Sequence, residues 1–347
     1  MKLLIIRLSA LGDVAMTVPV VTSFAQQHPE IEITFLSKSF VAPLFEYAPS
    51  NFHFRGLSSD EYGNLPALLK LYGKLRKEQF DAVADLHDVL RTKVLRILFQ
   101  TGGAKVAHID KGRREKKELV RRRNKRMRQL PSSFTRYEEV FHKLGYPVET
   151  SFRSIYKEGK GDENKFSRVA GMPDARHWIG LAPFAAHKGK MLPEETTTRL
   201  IKELSAHPDY RIFLFGGKNE KDRLESWASQ LSNVESLAGK LKLDEELALI
   251  SHLAVMISMD SANMHLASLT NTPVISIWGA THYYAGFMGW GQSTENAVDV
   301  NLPCRPCSIF GDKPCFRKDY ACLQNITPEM VAKAIHALLN NINTNDR

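Results

Sequence analysis

Short, continuous apolar runs alternate with helix-like segments along most of this chain of 347 residues. Continuous apolar runs are typical of strands that helices cover on both faces, and strand–helix alternation predicts a parallel, doubly wound α/β sheet. The predicted strands cover residues 2–8, 31–37, 52–57, 81–87, 105–109, 178–183, 211–215, 255–258 and 274–278. The predicted helices cover residues 14–27, 65–78, 89–99, 194–207, 220–232, 244–251, 261–269 and 328–340.

The alternation is interrupted once, between residues 150 and 177, where the chain is polar, has three glycines and shows no sustained period. The length also favours two domains of roughly 150 residues each. We therefore expect two Rossmann-like domains that face a central cleft, because ligands of such sheets bind beyond the carboxyl ends of the strands. The predicted boundaries are 1–155, a linker at 156–177, 178–325, and a C-terminal helix at 326–347, for which packing against the first domain is one arrangement.

Composition excludes several classes of protein. A hydrophobic fraction of 43% is ample for packed cores, and no apolar stretch reaches the ~18 residues that a membrane span needs. Arg7 and Asp13 interrupt the apolar N-terminus, so residues 2–8 are interpreted as a strand and not as a signal peptide. We expect a cytoplasmic protein, and a monomer since nothing in the sequence demands an oligomer.

The net charge of +9 is concentrated in one segment, residues 111–128, which carries eleven Lys or Arg and two Glu. A local basic patch of this kind meets a phosphate-bearing partner such as nucleic acid, anionic lipid or a phosphorylated acceptor, or it is simply solvated. The segment contains no aromatic residue, so nucleic-acid bases have no stacking platform within it. Lipid phosphate or phosphosugar is therefore the better fit, and no nucleic acid is expected.

The first candidate site follows the first predicted strand, where Ser9 and Gly12 precede the carboxylate of Asp13. Small residues here let a ligand approach the backbone, and Asp13 would act as a general base at the carboxyl end of the strand. The alternative is a helix cap that complements the dipole of a helix starting near Val14. The two roles are compatible.

Further candidates lie at the carboxyl ends of predicted strands in the second half. Small polar residues that open a helix make an anion site, and a lysine in a neighbouring loop suits a phosphate. The alternatives are routine capped turns, a solvated lysine and a structurally buried histidine. No complete dinucleotide or P-loop fingerprint is present. The candidates are Lys190, Glu220, Asp260, Ser261, Ala262, His265, Gly279 and Thr281.

Four cysteines lie close together near the C-terminus: Cys304, Cys307, Cys315 and Cys322. Their spacing is not that of a standard zinc knuckle. Reduced buried thiols, a structural zinc site and redox chemistry all remain open.

Together these motifs resemble glycosyltransferase family 9, the bacterial heptosyltransferases. RLSALGDVAMTVP resembles the N-terminal signature of the family, and KMLP at 190–193 resembles its lysine-x-tryptophan-proline element. DSANMH at 260–265 resembles its D-[ST]-G-x-x-H element, and Gly279–Thr281 its following turn. A four-cysteine stretch is also common in the family. The resemblance runs nearly end to end.

The resemblance implies a GT-B fold and inverting transfer of heptose from ADP-heptose to the lipopolysaccharide inner core, without metal or other cofactor. It implies that the first domain binds the acceptor and the second the nucleotide sugar. Asp13 is then the base, and the second-half candidates above contact the donor. The acceptor, with its core and lipid A phosphates, would meet Ser9, Gly12, Arg113, Arg114, Arg121, Arg122 and Arg123. Contact with the inner membrane surface is also expected.

The chain departs from the family at the donor side. Ala185 and Ala186 replace hydroxyl residues, Leu192 replaces tryptophan, and Ala262 replaces glycine. These departures keep a different nucleotide-sugar donor open. A non-catalytic module for nucleic acid or anionic surfaces is the alternative of another class.

Overall fold

The computed structural model describes residues 1–345, which form two compact α/β units. The first unit contains Met1–Gly112 and Pro131–Ile155, and the second contains Arg113–Leu130 and the chain from Tyr156 onward. No helix among the described residues is long and apolar enough to cross a membrane.

The helices and strands follow each other in the alternation that the sequence predicts. The strands are β1 (Lys2–Ile6), β2 (Glu32–Lys38), β3 (Phe52–Leu57), β4 (Ala82–Asp85), β5 (Lys105–His108), β6 (His177–Ala182), β7 (Tyr210–Leu214), β8 (Val234–Ser236), β9 (Val255–Met259), β10 (Val274–Trp278) and β11 (Ala297–Asp299). The helices are α1 (Leu11–Ala15), α2 (Val18–Gln27), α3 (Leu65–Leu75), α4 (Leu90–Thr101), α5 (Arg113–Val120), α6 (Ser133–Lys143), α7 (Ser167–Ala170), α8 (Glu194–Ser205), α9 (Lys221–Ala228), α10 (Leu243–Ile250), α11 (Ala262–Leu269), α12 (Ala321–Gln324) and α13 (Pro328–Asn345). Short 3₁₀ turns cover Ser39–Phe45, Ser59–Glu61, Arg76–Glu78, Glu163–Lys165, Lys188–Lys190, Lys218–Glu220, Tyr283–Ala285 and Thr294–Asn296.

The first unit is built on a parallel sheet of five strands in the order β3–β2–β1–β4–β5. Leu4 and Ile6 of the central strand β1 are fully buried against leucines of α3 and α4. Helices α2 and α6 pack together, with the rings of Phe24 and Phe141 stacked 4.3 Å apart. Strands covered on both faces explain why the sequence shows continuous apolar runs. The predicted parallel α/β architecture is confirmed.

The helix predicted over residues 14–27 is two helices, α1 and α2. Pro19 explains the break, because its ring clashes with the carbonyl of residue 15 and it has no N–H to continue the helical hydrogen bonds. Pro19 instead lies in the first turn of α2, where a missing N–H costs nothing. The break frees the first turn of α1 to lie directly after the loop that leaves β1.

The second unit has a parallel sheet of six strands in the order β11–β10–β9–β6–β7–β8. Helix α13 packs against α8, and its Val331 and Ile335 are fully buried in the core of this same unit. The described part of α13 is therefore folded with the second unit, and packing of the C-terminal helix against the first domain stays a prediction. The last two residues of the predicted segment 326–347 lie outside the described residues.

Residues 113–130 group with the second unit, although the sequence analysis includes them in the first domain. Leu119 and Leu130 are buried against Ala285 of the second unit, which explains the grouping. Helices α5 and α6 and the three-residue strands β8 and β11 are also absent from the prediction. The strong charge of residues 111–128 conceals the helical pattern of α5. Strands β8 and β11 are only three residues long, which is too short to show an apolar periodicity.

The segment 156–177, predicted as a linker, is part of the folded second unit. Phe166 is fully buried, with its ring 5.9 Å from that of Trp178 and 5.2 Å from that of His252. The N–H of Gly161 donates to Ser251 Oγ at 2.8 Å. A polar composition around one anchoring aromatic residue explains why this segment resembles a linker in sequence.

The anchoring role of Phe166 is testable by truncation. Phe166→Ala should lower the free energy of unfolding of the second unit by about 3–5 kcal/mol, because it removes a fully buried ring and leaves a cavity. Urea unfolding monitored by tryptophan fluorescence measures this change. Met172→Ala, in the same segment but 55% exposed, is the control and should change stability by less than about 0.5 kcal/mol. Equal, small effects of both substitutions would restore the linker interpretation.

Candidate active site

Asp13 lies at the carboxyl edge of the first sheet, in the first turn of α1. Its Oδ2 is 2.9 Å from Arg7 Nη2 and accepts a hydrogen bond from the backbone N–H of Ala10 at 3.2 Å. The Asp13 side chain is 40% exposed, whereas that of Arg7 is 7% exposed. Asp13 therefore does contact the helix start, although α1 begins at Leu11 and not near Val14. Ser9 and Gly12 are half-buried in the same loop, where the Ser9–Ala10 peptide bond is cis.

Arg7 forms the ion pair with the carboxylate of Asp13 and is itself hydrogen-bonded to residues of the sheet and its loops. Its Nη1 donates to the carbonyl of Leu86 at 2.6 Å, and its backbone carbonyl accepts from Ser37 Oγ at 2.6 Å. Tyr137 from α6 donates to the backbone carbonyl of Asp13 at 3.5 Å, and burial raises the pKa of Tyr137 to about 12. The carboxylate is thus presented by three neighbouring strands and one helix.

His87 is a member of this cluster that the sequence analysis missed. Burial, together with the positive charges of Arg7 and Lys111, lowers the pKa of His87 to about 3. The imidazole is therefore neutral at physiological pH. Its Nδ1 accepts a hydrogen bond from the backbone N–H of Leu8 at 3.3 Å. An acceptor Nδ1 places the ring proton of the neutral imidazole on Nε2.

Two aspartates, the last residue of β4 and a residue of the loop that follows it, hold the loop that carries His87. Asp85 is fully buried, and its Oδ1 accepts from the backbone N–H groups of His87 and Asp88 at 2.9 Å each. Arg96 Nη1 bridges Asp85 Oδ2 at 3.1 Å and Asp88 Oδ1 at 3.3 Å. A signal for this network is present in the sequence, since Asp85 and His87 lie at the carboxyl end of the predicted strand 81–87 and Asp88 directly follows it.

The second unit brings Lys190 and Asp260 together at the carboxyl edge of its own sheet. Lys190 Nζ is 3.0 Å from Asp260 Oδ2, and the two side chains are 15% and 4% exposed. Asp260 directly follows β9, and the 3₁₀ turn Lys188–Lys190 lies in the loop after β6. Because β6 and β9 are neighbours in the sheet, their loops meet at one edge.

The start of α11 lies directly beside this ion pair. Ser261 is the N-cap residue, but its side chain does not cap the helix and instead pairs with Ser258 Oγ at 3.2 Å. The first N–H groups of α11 therefore have no side-chain cap and carry the positive end of the helix dipole. Ala262 opens the helix, and His265 is buried within its first turn. This end of α11 suits an anion.

The turn Gly279–Thr281 forms the next part of this edge. The guanidinium of Arg305, 5% exposed, donates to the carbonyls of Trp278, Gly279 and Thr281 at 3.0, 2.6 and 3.2 Å. A side chain at Gly279 would approach the carbonyl of Gly189 to 2.7 Å, so the turn needs glycine there. Thr281 Oγ1 is buried and has no hydrogen-bond partner among the described residues. Arg305, which the sequence analysis missed, thus shapes this turn.

Glu220 has a local backbone role in the structure. Its Oε2 accepts the N–H of Gly217 at 2.5 Å, which closes the turn after β7. Beside the lysine turn, on the side of α8 and α9, lies a cavity of about 420 Å³. Its walls include Leu192, which stands where the family has tryptophan, and the aromatic side chains of Phe184, Trp227 and Tyr320.

The five arginines expected on the acceptor side lie in the segment that groups with the second unit. Arg121 is half-buried, and its Nε donates to the carbonyl of Asn124 at 2.5 Å. Arg113, Arg114, Arg122 and Arg123 are exposed. Their expected place in the Asp13-bearing domain is therefore corrected, because the buried leucines of their segment pack within the second unit.

The zinc site considered for the four cysteines is not formed by the described residues, among which no group of three or more His, Cys, Asp or Glu could hold a metal ion. All four thiols are free, with Cys322 buried and the other three half-buried. Burial raises the pKa of Cys322 to about 11 and also raises that of Cys307. Reduced buried thiols, one of the alternatives that the spacing leaves open, stay a prediction.

The neutral state of His87 predicts a specific pH behaviour. Its imidazole should stay uncharged, with the proton on Nε2, from pH 8 down to about pH 4. Since the folded pKa lies below the unfolded value, His87 contributes a loss of stability as the pH falls from about 6.5 toward 3. Nitrogen-15 chemical shifts of the imidazole, compared with those of the exposed His53, measure its titration. A His87 midpoint near 6.5 would contradict the assignment.

Comparisons with known proteins show the family and the fold of the chain. The model of "Glycosyltransferase family 9 (heptosyltransferase)" matches residues 68–314. Lipopolysaccharide heptosyltransferase 3 of Escherichia coli K12 is 25% identical over 303 residues, covering 83% of this chain and 84% of the relative. Lipopolysaccharide heptosyltransferase 1 of Campylobacter coli is 25% identical over 360 residues, covering 97% and 99%.

Among solved structures, the E. coli ADP-heptose lps heptosyltransferase II is 19% identical and superposes with a TM-score of 0.71, covering 99% of this chain and 100% of that chain. The shared architecture is the GT-B fold that the resemblance implies. The family match spans more than two thirds of the chain. The chain therefore belongs to glycosyltransferase family 9, the heptosyltransferases, and is a glycosyltransferase.

Proposed function

We propose that this enzyme transfers heptose from ADP-heptose to the inner core of lipopolysaccharide, with inversion at the anomeric carbon. The observation that carries the proposal is the Lys190–Asp260 pair beside the uncapped start of α11. The printed names of the relatives add support, since two are lipopolysaccharide heptosyltransferases and one is an ADP-heptose enzyme.

The donor diphosphate is proposed to bind at the carboxyl edge of the second sheet. Lys190 supplies a cation, and the first N–H groups of α11 supply aligned donors with the positive end of a helix dipole. As the bond to the sugar breaks, negative charge grows on the leaving diphosphate. Groups already in place at that position stabilise the transition state more than the ground state. Protein groups are thus proposed to meet this charge without a metal ion.

The other donor-side candidates have matching chemistry. Thr281 Oγ1, buried without a hydrogen-bond partner among the described residues, is proposed to bond a donor oxygen. Beside the Lys190–Asp260 pair, Ser261, Ala262, His265 and Gly279 are proposed to line the donor site at the same edge of the sheet. Glu220 is proposed to lie near the adenosine, where its Oε2 accepts the N–H of Gly217 and its Oε1 can accept from a ligand hydroxyl.

Asp13 is proposed to act as the general base. An acceptor hydroxyl that attacks the anomeric carbon must lose its proton, and a carboxylate is a suitable acceptor for it. Arg7 and the N–H of Ala10 hold Oδ2, while the 40% exposure of the side chain leaves it accessible to substrate. Ser9 and Gly12 in the same loop are proposed to contact the acceptor sugar. Attack from the side opposite the diphosphate gives inversion.

The donor identity is tested by turnover on a heptose-deficient lipopolysaccharide core. We expect the protein to consume ADP-heptose and to leave ADP-glucose, GDP-mannose and UDP-glucose largely unused, with or without a metal chelator. Mass spectrometry of the product and proton NMR of the new anomeric centre give the sugar and its configuration. Consumption of only a different nucleotide sugar would reject heptose and favour the alternative donor.

Asp13→Asn tests the base. We expect kcat to fall on the order of 10² or more with donor affinity nearly unchanged, because the amide can still accept from Ala10 but cannot take a proton. Steady-state kinetics and calorimetry of ADP binding measure the two quantities. Lys190→Ala is the contrast variant and should weaken ADP binding and turnover together. Near wild-type turnover of Asp13→Asn would remove Asp13 from the mechanism.

A further inference from the structure

Residues 113–130, here called the basic arm, form a fixed part of the second unit and not a loose tail. Leu119 and Leu130 are buried at 0% and 3% exposure, and the backbone N–H of Leu130 donates to the carbonyl of Tyr284 at 2.9 Å. Lys125 Nζ donates to the carbonyls of Cys304 and Pro306 at 2.8 Å each. The apolar and hydrogen-bonding groups of the arm thus face the protein.

The cations on the other side of the arm face solvent. Seven Lys or Arg side chains of the arm are exposed: Arg113, Arg114, Lys117, Arg122, Arg123, Arg126 and Arg128. Glu118 is 18% exposed and engages two of them, at 3.8 Å from Arg114 and 3.3 Å from Arg126. The arm carries ten Lys or Arg against two Glu, Glu115 and Glu118, so it gives a fixed and strongly positive surface.

Exposed apolar side chains lie beside these cations. Phe310 and Phe316 from the cysteine-containing loop are 55% and 45% exposed, and Met127 of the arm is 47% exposed. The guanidinium of Arg122 lies 4.5 Å from the ring centre of Phe316. Phe310 packs 5.9 Å from the ring of Phe287, which Lys116 Nζ covers at 4.2 Å. The arm and the cysteine-containing loop thus contact each other through cations and aromatic rings, and the exposed cations of the arm with Met127, Phe310 and Phe316 are here called the amphiphilic face.

We infer that the amphiphilic face docks this enzyme on an anionic lipid bilayer. The positive charges complement the phosphates of acidic headgroups, and each Lys or Arg near such a surface adds to the attraction. Phe310, Phe316 and Met127 provide the apolar groups that enter the boundary between headgroups and acyl chains. In one respect the inference rests on the proposed function, since a lipid-linked acceptor is met at a membrane.

This inference gives the arginines a role different from the one expected from the sequence. Arg113, Arg114, Arg122 and Arg123 belong to the donor-side unit, so they hold the enzyme on the surface that carries the acceptor. Binding to a surface of this kind needs no pocket for a particular sugar. Its strength depends on the number of exposed cations, on the salt concentration and on the fraction of acidic lipid.

Co-sedimentation with vesicles tests the inference on the full chain. We expect binding to phosphatidylcholine vesicles that contain phosphatidylglycerol, falling steeply with salt, and little binding to phosphatidylcholine alone. The triple variant Lys117→Gln, Arg123→Gln, Arg128→Gln should bind on the order of 100-fold more weakly. The matched control Lys70→Gln, Lys77→Gln, Lys202→Gln removes three exposed charges elsewhere and should bind like the parent.

A second pair of variants separates apolar insertion from charge. Met127→Ala with Phe310→Ala should weaken vesicle binding on the order of tenfold, whereas Leu65→Ala with Ile97→Ala, similarly exposed in the first unit, should not. Circular dichroism establishes that each variant is folded. Equal losses in the test and control variants would overturn the inference. Tighter binding to duplex DNA or single-stranded RNA than to acidic vesicles at the same salt would also overturn it.

The vesicle assay contains neither donor nor acceptor, so it is independent of the transfer assay. Transfer without vesicle binding would overturn the docking surface and leave the proposed function in place. Vesicle binding without transfer would overturn the proposed function and leave the docking surface in place.

Discussion

In each unit, the candidate site residues depend on an ion pair at the carboxyl edge of a buried parallel sheet. Arg7 holds Asp13 in the first unit, and Lys190 pairs with Asp260 in the second. The two pairs differ in exposure in an informative way. In the first, the carboxylate is the accessible partner and the guanidinium is buried, whereas in the second both partners are almost covered. An accessible carboxylate can receive a proton. A lysine paired with a buried carboxylate is held in one position at the edge of its sheet.

The surroundings of each pair explain why it stays in place. Removing one member of a buried ion pair leaves an unpaired charge, so each pair needs further contacts that hold it in position. For the Arg7–Asp13 pair these contacts are two hydrogen bonds. Arg7 donates to the carbonyl of Leu86, and the backbone N–H of Leu8 donates to neutral His87. For Asp260 the support is the close backbone approach of Gly189 to Ala280, whose N–H donates to the carbonyl of Gly189 at 2.8 Å. The sheets provide the edges, and these loop contacts determine where the charges lie.

The sequence predicts the sheets well because burial on both faces leaves an unmistakable continuous apolar run. It also points to Asp13, Lys190 and Asp260, because polar residues in the loops that follow such runs lie at the carboxyl edge of their own sheet. It fails where partners come from distant segments. The hydrogen bond from the backbone N–H of Leu8 to His87 Nδ1 joins residues that are 79 positions apart in the sequence, and no local sequence pattern predicts such a contact. It also fails where composition conceals structure, as in the charged helix α5 and in the linker-like segment that Phe166 anchors.

The basic arm shows the same limit most clearly. Judged by its own residues it lacks aromatic side chains, and that observation is correct as far as residue 128. In the fold, however, Phe287 and Phe316 lie against Lys116 and Arg122 of the arm. The chemistry of a surface is the sum of what the fold brings to it, so the charge of one segment can indicate an anionic partner without defining its class. The neighbouring exposed apolar groups are the observation that favours a bilayer, since they add the hydrophobic contribution that charge alone lacks.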